Sequence, residues 1–263
     1  MAKYLLFALA TIVCALSCSS NKQMSAVSDT ENWDIYLVIG QSNMAGRAEI
    51  RQEDQQVIDN VYLYTGISIM PWEAAKNPMN KYSSIRKNIE MQRLGPSYSF
   101  AQSMHEATPN KKIGLVVNAK GGTRIAQWLP GTKFFSDAVS RTRIALKSGT
   151  LKGIIWHQGE SDSDEIRRNL YLGRLEELVH GLREAFDAPN LPFVLGEVYA
   201  TEKREPINII LSKVPGFIKN TALVSSAGTS TPDDTHFDAP SAILMGQRYA
   251  EKMLELQLDK SGN

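Results

Sequence analysis

The chain has 263 residues, enough for one large domain or two small ones. Hydrophobic residues make up 43% and charged residues 22%, the balance of a globular protein with a real core. Lysine plus arginine number 29 against 28 acidic residues, so no single-sign field is present to attract nucleic acid or an anionic membrane surface.

In chain order, the first segment reads as a targeting leader and stands outside the fold. Lys3 supplies a positive start, and residues 5–16 are almost wholly apolar but too short to span a bilayer. They run into Ala15-Leu16-Ser17-Cys18, small residues before a cysteine. That pattern resembles a bacterial lipobox, in which Cys18 becomes the lipidated first residue of the mature chain. Ala15 stands where leucine is more usual, which leaves cleavage by an ordinary signal peptidase open. The expected division is a lipoprotein-type signal peptide at 1–17, a polar tether at 18–32 and one domain over 33–263. The expected location is outside the cytoplasm of a bacterium. The chain would be an outer-membrane lipoprotein facing the periplasm or the cell surface, or else periplasmic or secreted. Its contact with a membrane would run only through the lipid on Cys18. The two cysteines, Cys14 and Cys18, both fall in the leader, so the domain has no disulfide and no cysteine nucleophile or metal ligand.

After the tether, short apolar runs alternate with longer amphipathic ones. The runs at 33–39, 113–118, 153–157, 193–198 and 222–226 are compact and rich in β-branched residues, as strands buried on both faces are. Helical patterns lie between them. The stretch 96–106 opens with a proline and sets Tyr98, Phe100, Ala101 and Met104 on one side. A second covers 134–147. A third, 163–186, carries an apolar stripe of Leu170, Leu172, Leu175, Leu178 and Val179. Others are expected at 206–218 and 241–258. This alternation predicts an α/β protein: a three-layer α/β/α sandwich around a five-stranded parallel sheet of flavodoxin-like order. Residues 47–94 do not fit a simple crossover. Val61-Tyr62-Leu63-Tyr64 reads as an extra edge strand or a hairpin, and the rest, with Pro71, Trp72 and Pro78, as a long ordered loop suited to a lid or binding rim.

In sheets of this kind ligands bind beyond the carboxyl ends of the strands. Four chemically suggestive stretches lie there. Gly40-Gln41-Ser42-Asn43-Met44-Ala45-Gly46 follows the first strand and delivers a serine flanked by glycines. Alone, it reads equally well as a tight turn with Ser42 as an N-cap or as a nucleophile turn. Lys120-Gly121-Gly122-Thr123 follows the second strand, Gln158-Gly159-Glu160-Ser161-Asp162 the third, and Asp233-Asp234-Thr235-His236-Phe237 the last. A serine hydroxyl needs a base, and the base needs an orienting group. Of His105, His157, His180 and His236, only His236 sits in a polar loop beside carboxylates. Asp233, three residues earlier, can reach its Nδ1–H and leave Nε2 facing Ser42. Either aspartate of the pair 233–234 can instead cap the terminal helix. Oxyanion donors would be the Ser42 N–H, the Gly121 or Gly122 N–H and the Gln158 amide. Glu160 can assist His236, bind substrate hydroxyls or anchor loops. His157, Glu160 and Asp162 lack a recognisable metal spacing, so no metal or other cofactor is expected.

Taken in order, Gly40–Gly46, Gly121-Gly122-Thr123, Trp156–Asp162 and Asp233-x-x-His236-Phe237 resemble the SGNH hydrolases, and within them the sialate O-acetylesterase and carbohydrate esterase family six group, which includes acetylxylan esterases. The resemblance covers 33–258 and implies the SGNH hydrolase fold with metal-independent removal of acetyl groups from carbohydrate esters. By position it implies Ser42 as nucleophile, His236 as base, Asp233 as its acid and Glu160 as a fourth member supporting the histidine. It also implies Ser42, Gly121 or Gly122, and Gln158 as the oxyanion hole. Gln158 stands where general SGNH enzymes carry asparagine. Gln41, Asn43, Arg124 and Trp128 are candidates for contacts to the acetylated poly- or oligosaccharide, with Trp72 and the 47–94 loop as further rim. Trp128 serves as core packing on the other reading. Two alternatives remain: a carbohydrate-binding lipoprotein on an inactive esterase scaffold, and a short-chain lipase or thioesterase.

Overall fold

The computed structural model describes residues 33–258. The expected leader at 1–17, Cys18 and the tether at 18–32 lie outside the described residues. The strands are β1 (Trp33–Gly40), β2 (Val61–Ile67), β3 (Met70–Ala74), β4 (Ile113–Ala119), β5 (Gly149–His157), β6 (Phe193–Gly196) and β7 (Thr221–Val224). The α-helices are α1 (Ser42–Ala45), α2 (Ser97–Ala107), α3 (Lys133–Ala145), α4 (Glu165–Asn169), α5 (Tyr171–Ala185), α6 (Glu205–Leu211), α7 (Val214–Phe217) and α8 (Ala239–Leu258).

All seven strands form one sheet in the order β3-β2-β4-β1-β5-β6-β7. Every pairing is parallel except β2 with β3. The five expected strands keep the flavodoxin-like order among themselves. The count of five is corrected to seven: the 61–64 run is β2, and the chain turns back at residues 68–69 to make the antiparallel hairpin with β3. The hairpin extends the sheet beside β4, so β3 forms that edge. Gly66 sits at the irregularity in the pairing between Tyr64 and Ile67 with φ +78, a conformation that suits glycine at a bulge.

Two expected helices are each divided. The 163–186 stretch splits into α4 and α5 at Leu170, which is 49% exposed and does not join the apolar stripe. Asp164 accepts a hydrogen bond from Arg167 N–H and starts α4. The 206–218 stretch splits into α6 and α7, each with a proline in its first turn. Pro215 has no N–H to continue the preceding helix, so a new turn begins there.

Alternation along β1 sorts its side chains between two cores. Tyr36 and Val38 face a cluster with residues of α2 and α8, including Phe100, Met245 and Tyr249. Ile35, Leu37 and Ile39 face the opposite cluster, with Leu175, Leu178 and Leu182 of α5. This double burial explains the unbroken apolar runs. Trp72, expected on a binding rim, instead packs 4.9 Å from the Trp33 ring and donates from Nε1 to Ser148 Oγ at 2.9 Å. Both partners lie at the amino-terminal end of the sheet.

Candidate active site

The carboxyl ends of β1, β4 and β5 are in register: Gly40 stands opposite both Ala119 and His157. Three of the four suggestive stretches therefore leave the sheet side by side. Gly40 has φ +142, and a Cβ there would lie 2.2 Å from His157 O, so only glycine permits the approach. Gln41 N–H donates to His157 O at 2.8 Å, which ends the strand and turns the chain into α1. Ser42 opens this single helical turn and is 6% exposed.

The loop after β7 brings the fourth stretch. His236 Nδ1 lies 2.6 Å from Asp233 Oδ2. Asp233 Oδ1 accepts from His236 N–H at 2.7 Å and Thr235 N–H at 3.0 Å, so one carboxylate fixes both the ring and its backbone. Desolvation pushes the Asp233 carboxyl up, but the His236 and Thr235 donors outweigh it and hold it below the ordinary value. The capping alternative falls to another residue: Asp238 Oδ1 accepts from Ser241 N–H in the first turn of α8. Arg204 grips the loop from outside, donating to Asp234 O and, at 2.8 Å, to Thr235 Oγ1.

Asn43 joins the two halves. Its Nδ2 donates to Glu160 Oε1 at 2.8 Å and Thr235 O at 3.0 Å, while its Oδ1 accepts from Phe237 N–H at 3.0 Å. The backbone is thus held on both sides of His236. Asn43 was expected to contact substrate; it is 2% exposed with its amide fully engaged, so the structure makes it an internal clamp.

Glu160 stands in the cleft beside Ser42 and His236, but its hydrogen bond runs to Asn43. Its Oε1 also lies 3.6 Å from His157 Nε2, and its side chain is only 4% exposed. Tyr249 spends its single proton on Trp156 O, so its oxygen accepts from His157 Nδ1–H. At 3.6 Å the His157–Glu160 pair is a close polar contact and not a hydrogen bond. Burial works against ionisation of Glu160, yet His157, its own backbone N–H and Asn43 together hold its carboxyl below the ordinary value.

Gln158, expected to donate to an oxyanion, is fully buried with its Nε2 committed to Asp162 Oδ2 at 2.6 Å, Thr123 O at 2.9 Å and Gln41 Oε1 at 3.2 Å. Two hydrogens facing three acceptors leave nothing for a substrate, which corrects that expectation. Burial pushes the Asp162 carboxyl up, against the hydrogen bonds from Ile125 N–H and Gln158. Of the glycine pair, Gly121 is the one against Ser42: a Cβ on it would lie 3.3 Å from Ser42 Cβ. Gly122 is exposed and turned toward Lys87.

Gln41 lines the cleft floor. Arg124 is exposed on the turn before 125–128 and does not line it, and Trp128 is buried against Trp156, its Nε1 donating to Thr123 Oγ1 at 3.1 Å. Neither sits on the substrate rim. The 47–94 loop, expected as further rim, brings Arg47, Lys87 and Met91 to the cleft. Arg204 is the lining residue that went unread, since its place depends on a loop path with no local pattern. The cleft holds about 340 Å³. Beyond His236 a second hollow of about 670 Å³ shares Arg47, Met91 and His236 with it. Among the described residues, no three His, Cys, Asp or Glu side chains are grouped to hold a metal ion.

This architecture is that of known esterases. The chain is similar to the solved structure of an Arabidopsis thaliana protein, with TM-score 0.75 and 23% identity, covering 85% of this chain and 98% of that one. In sequence it is 29% identical over 242 residues to the Arabidopsis thaliana protein named "Probable carbohydrate esterase", covering 84% of this chain and 90% of the relative. The structure of NanS is also similar, at TM-score 0.67 and 16% identity, over 87% of this chain and 98% of NanS. The chain belongs to the family described as carbohydrate esterase, sialic acid-specific acetylesterase, whose model matches residues 32–255. It is an acetylesterase, a carboxylic ester hydrolase of the carbohydrate type.

Two outcomes are expected from this geometry. Asn43→Ala frees the loop around His236, and kcat on an acetyl ester should fall about 100-fold, the cost of a misplacement near 1 Å, with a smaller change in KM. Steady-state kinetics on the folded variant measures it; near-parent kcat would remove Asn43 from the positioning role. The second concerns acid. A depressed carboxyl contributes stability that is present above its ordinary value, 4.5 for Glu160, and is lost as pH falls through the folded value. Glu160→Gln should therefore flatten the acid limb of unfolding free energy against pH, read by denaturant titration.

Proposed function

We propose that Ser42 is the nucleophile of the acetylesterase reaction, with His236 as its base and Asp233 as the acid that orients the base. The observation that carries this is the 2.6 Å Asp233–His236 contact in the cleft that Ser42 also lines. Asp233 takes Nδ1–H, which leaves Nε2 as the basic atom. In the first step the Ser42 Oγ–carbon bond forms, the carbonyl π pair moves onto oxygen and the hydroxyl proton passes to His236 Nε2. Collapse of the tetrahedral species breaks the bond to the sugar oxygen, which takes that proton and leaves. Water then attacks the acetyl-enzyme with His236 as base again, releasing acetate and Ser42. Glu160 supports this arrangement through Asn43, since its hydrogen bond runs there.

The cleft favours an anionic sugar of the sialic acid type over a neutral xylan-type chain. Arg47, Lys87 and Arg204 line it, while Glu160, its one lining carboxylate, is turned inward to Asn43 and His157. The adjoining hollow, lined by Arg47, Arg51 and Arg93 together with Glu49, Glu90, Asp233 and Asp238, adds no such bias and offers room for the sugar that leaves.

A p-nitrophenyl acyl series tests the chemistry. Acetyl should be hydrolysed well ahead of butyryl and octanoyl, and Ser42→Ala and His236→Ala should each abolish turnover while the fold persists. Preference for long acyl chains would point to a lipase or thioesterase, and a folded protein inert on every ester to a binding module. Acetate release from O-acetylated sialic acid should exceed release from acetylated xylan.

For its location, we propose an exported lipoprotein carrying lipid on Cys18, supported by Ala15-Leu16-Ser17-Cys18 after the apolar run at 5–16. Feeding bacteria that express the full chain an alkyne fatty acid should label it, and Cys18→Ala should lose both the label and membrane fractionation. Equal labelling of the two forms would overturn the anchor.

A further inference from the structure

Once Gln158 is committed to Asp162, Thr123 and Gln41, the corner where the acyl oxygen gains charge lacks the side-chain donor that the sequence pattern promised. Arg47 stands at that corner. Its Nη1 is pinned twice, to Gly46 O at 2.6 Å and to Met91 O at 2.8 Å, so the guanidinium plane is fixed from its own turn and from the 89–91 turn. Its Nη2 is directed at Gly121. The position a Gly121 Cβ would occupy lies 2.5 Å from Arg47 Nη2 and 3.3 Å from Ser42 Cβ. The missing Cβ at Gly121 thus lets the guanidinium close on this backbone immediately beside the serine, and Arg47, Gly121 and Ser42 line the same cleft. Among the described residues, Arg47 pairs with no carboxylate, so its charge is not spent elsewhere. Burial, with Arg93 nearby, lowers its pKa, and a cation short of water gains from a charge that develops beside it.

We infer that Arg47 is a catalytic residue, with Nη2–H donating to the acyl oxygen while the Ser42 Oγ–carbon bond forms. The inference rests on Ser42 being the nucleophile. The π pair displaced by Ser42 settles on that oxygen, between Arg47 Nη2–H and the N–H groups of Ser42 and Gly121. When the pair returns and the sugar oxygen departs, the donors relax to a neutral acetyl carbonyl. Arginine suits the task because one nitrogen can be anchored while the other stays free; lysine has a single charged centre for both jobs.

The test uses Arg47→Ala, Arg47→Gln and Arg47→Lys in the full-length chain, checked for fold by circular dichroism. Two quantities are read: kcat and KM on 4-nitrophenyl acetate, and the inhibition constant of methylboronic acid. On a serine this boron acid becomes a tetrahedral anion with an oxygen where the intermediate carries its own. Removing one such donor typically lowers kcat by about 10²–10³-fold, the loss expected for Ala and Gln, with boronate binding weakened by a similar factor and KM little moved. Lys should fall between these variants and the parent. If Ala fails to fold, Gln and Lys carry the comparison. Arg47 would lose this role if folded variants kept kcat within about threefold of the parent, or lost kcat while binding methylboronic acid unchanged, which marks a structural part only. Ser42→Ala separates the two levels. Full turnover there removes the nucleophile, whereas an inert Ser42→Ala beside normal Arg47 variants removes only the arginine.

Discussion

One carboxamide holds the site together. Asn43 is the residue after Ser42, and its three hydrogen bonds reach Glu160, Thr235 and Phe237. The last two flank His236. Side chains in a polar loop lose order readily, because each must be fixed against its own rotational freedom. Here the loop is fixed from inside by Asn43 and from outside by Arg204, and Asp233 then needs only to set the ring. Two bonds donated and one accepted also decide which end of the amide is which. An aspartate could not reproduce the pattern, since it would meet Glu160 with like charge and offer Thr235 O no hydrogen.

Beneath the clamp runs a second chain of dependence. Asn43 bonds Glu160, Glu160 faces His157, His157 donates to Tyr249, and Tyr249 donates to Trp156 O. Each member is buried, so a missing partner would be costly at every link. Burial pushes the Tyr249 hydroxyl well above its ordinary value, which keeps its proton in place for Trp156 O. The direction of the His157–Tyr249 bond follows from that one phenol. Helix α8, through Tyr249, thereby reaches the site from the opposite side of the sheet end.

The fold was legible because burial on both faces leaves strands with no polar alternation, and five such runs stand out from the chain. The β2–β3 hairpin was half legible: 61–64 reads as an edge strand or a hairpin, but β3 was hidden by exposure, since Ile67, Met70 and the turn between them face water and carry no strand pattern. The division of α6 from α7 was readable at Pro215, and was passed over because the apolar spacing continues across it. At the site, the Asp233–His236 pair was within reach because three residues can close on themselves. The bonds of Asn43 and Gln158 were not, since they join residues 117 or more apart or depend on which of three acceptors an amide meets first. Trp72 misled, and Trp128 stood between rim and core, for a common reason. A tryptophan in a loop suggests a sugar platform, but the same ring area is equally useful for filling a core, which is where Trp128 lies.

Gly40–Gly46 and the Asp233–Phe237 loop lie near opposite ends of the chain, and the clamp spans them with sequence separations of 192 and 194 residues. The order of synthesis therefore matters. A growing chain can form β1, its serine turn and most of the sheet while His236 is still absent. Only when the loop after β7 arrives, and α8 lays Tyr249 under His157, does Asn43 find all its partners. The site closes with the last fifth of the fold, so a half-built chain carries Ser42 without the His236 loop that the proposed mechanism requires.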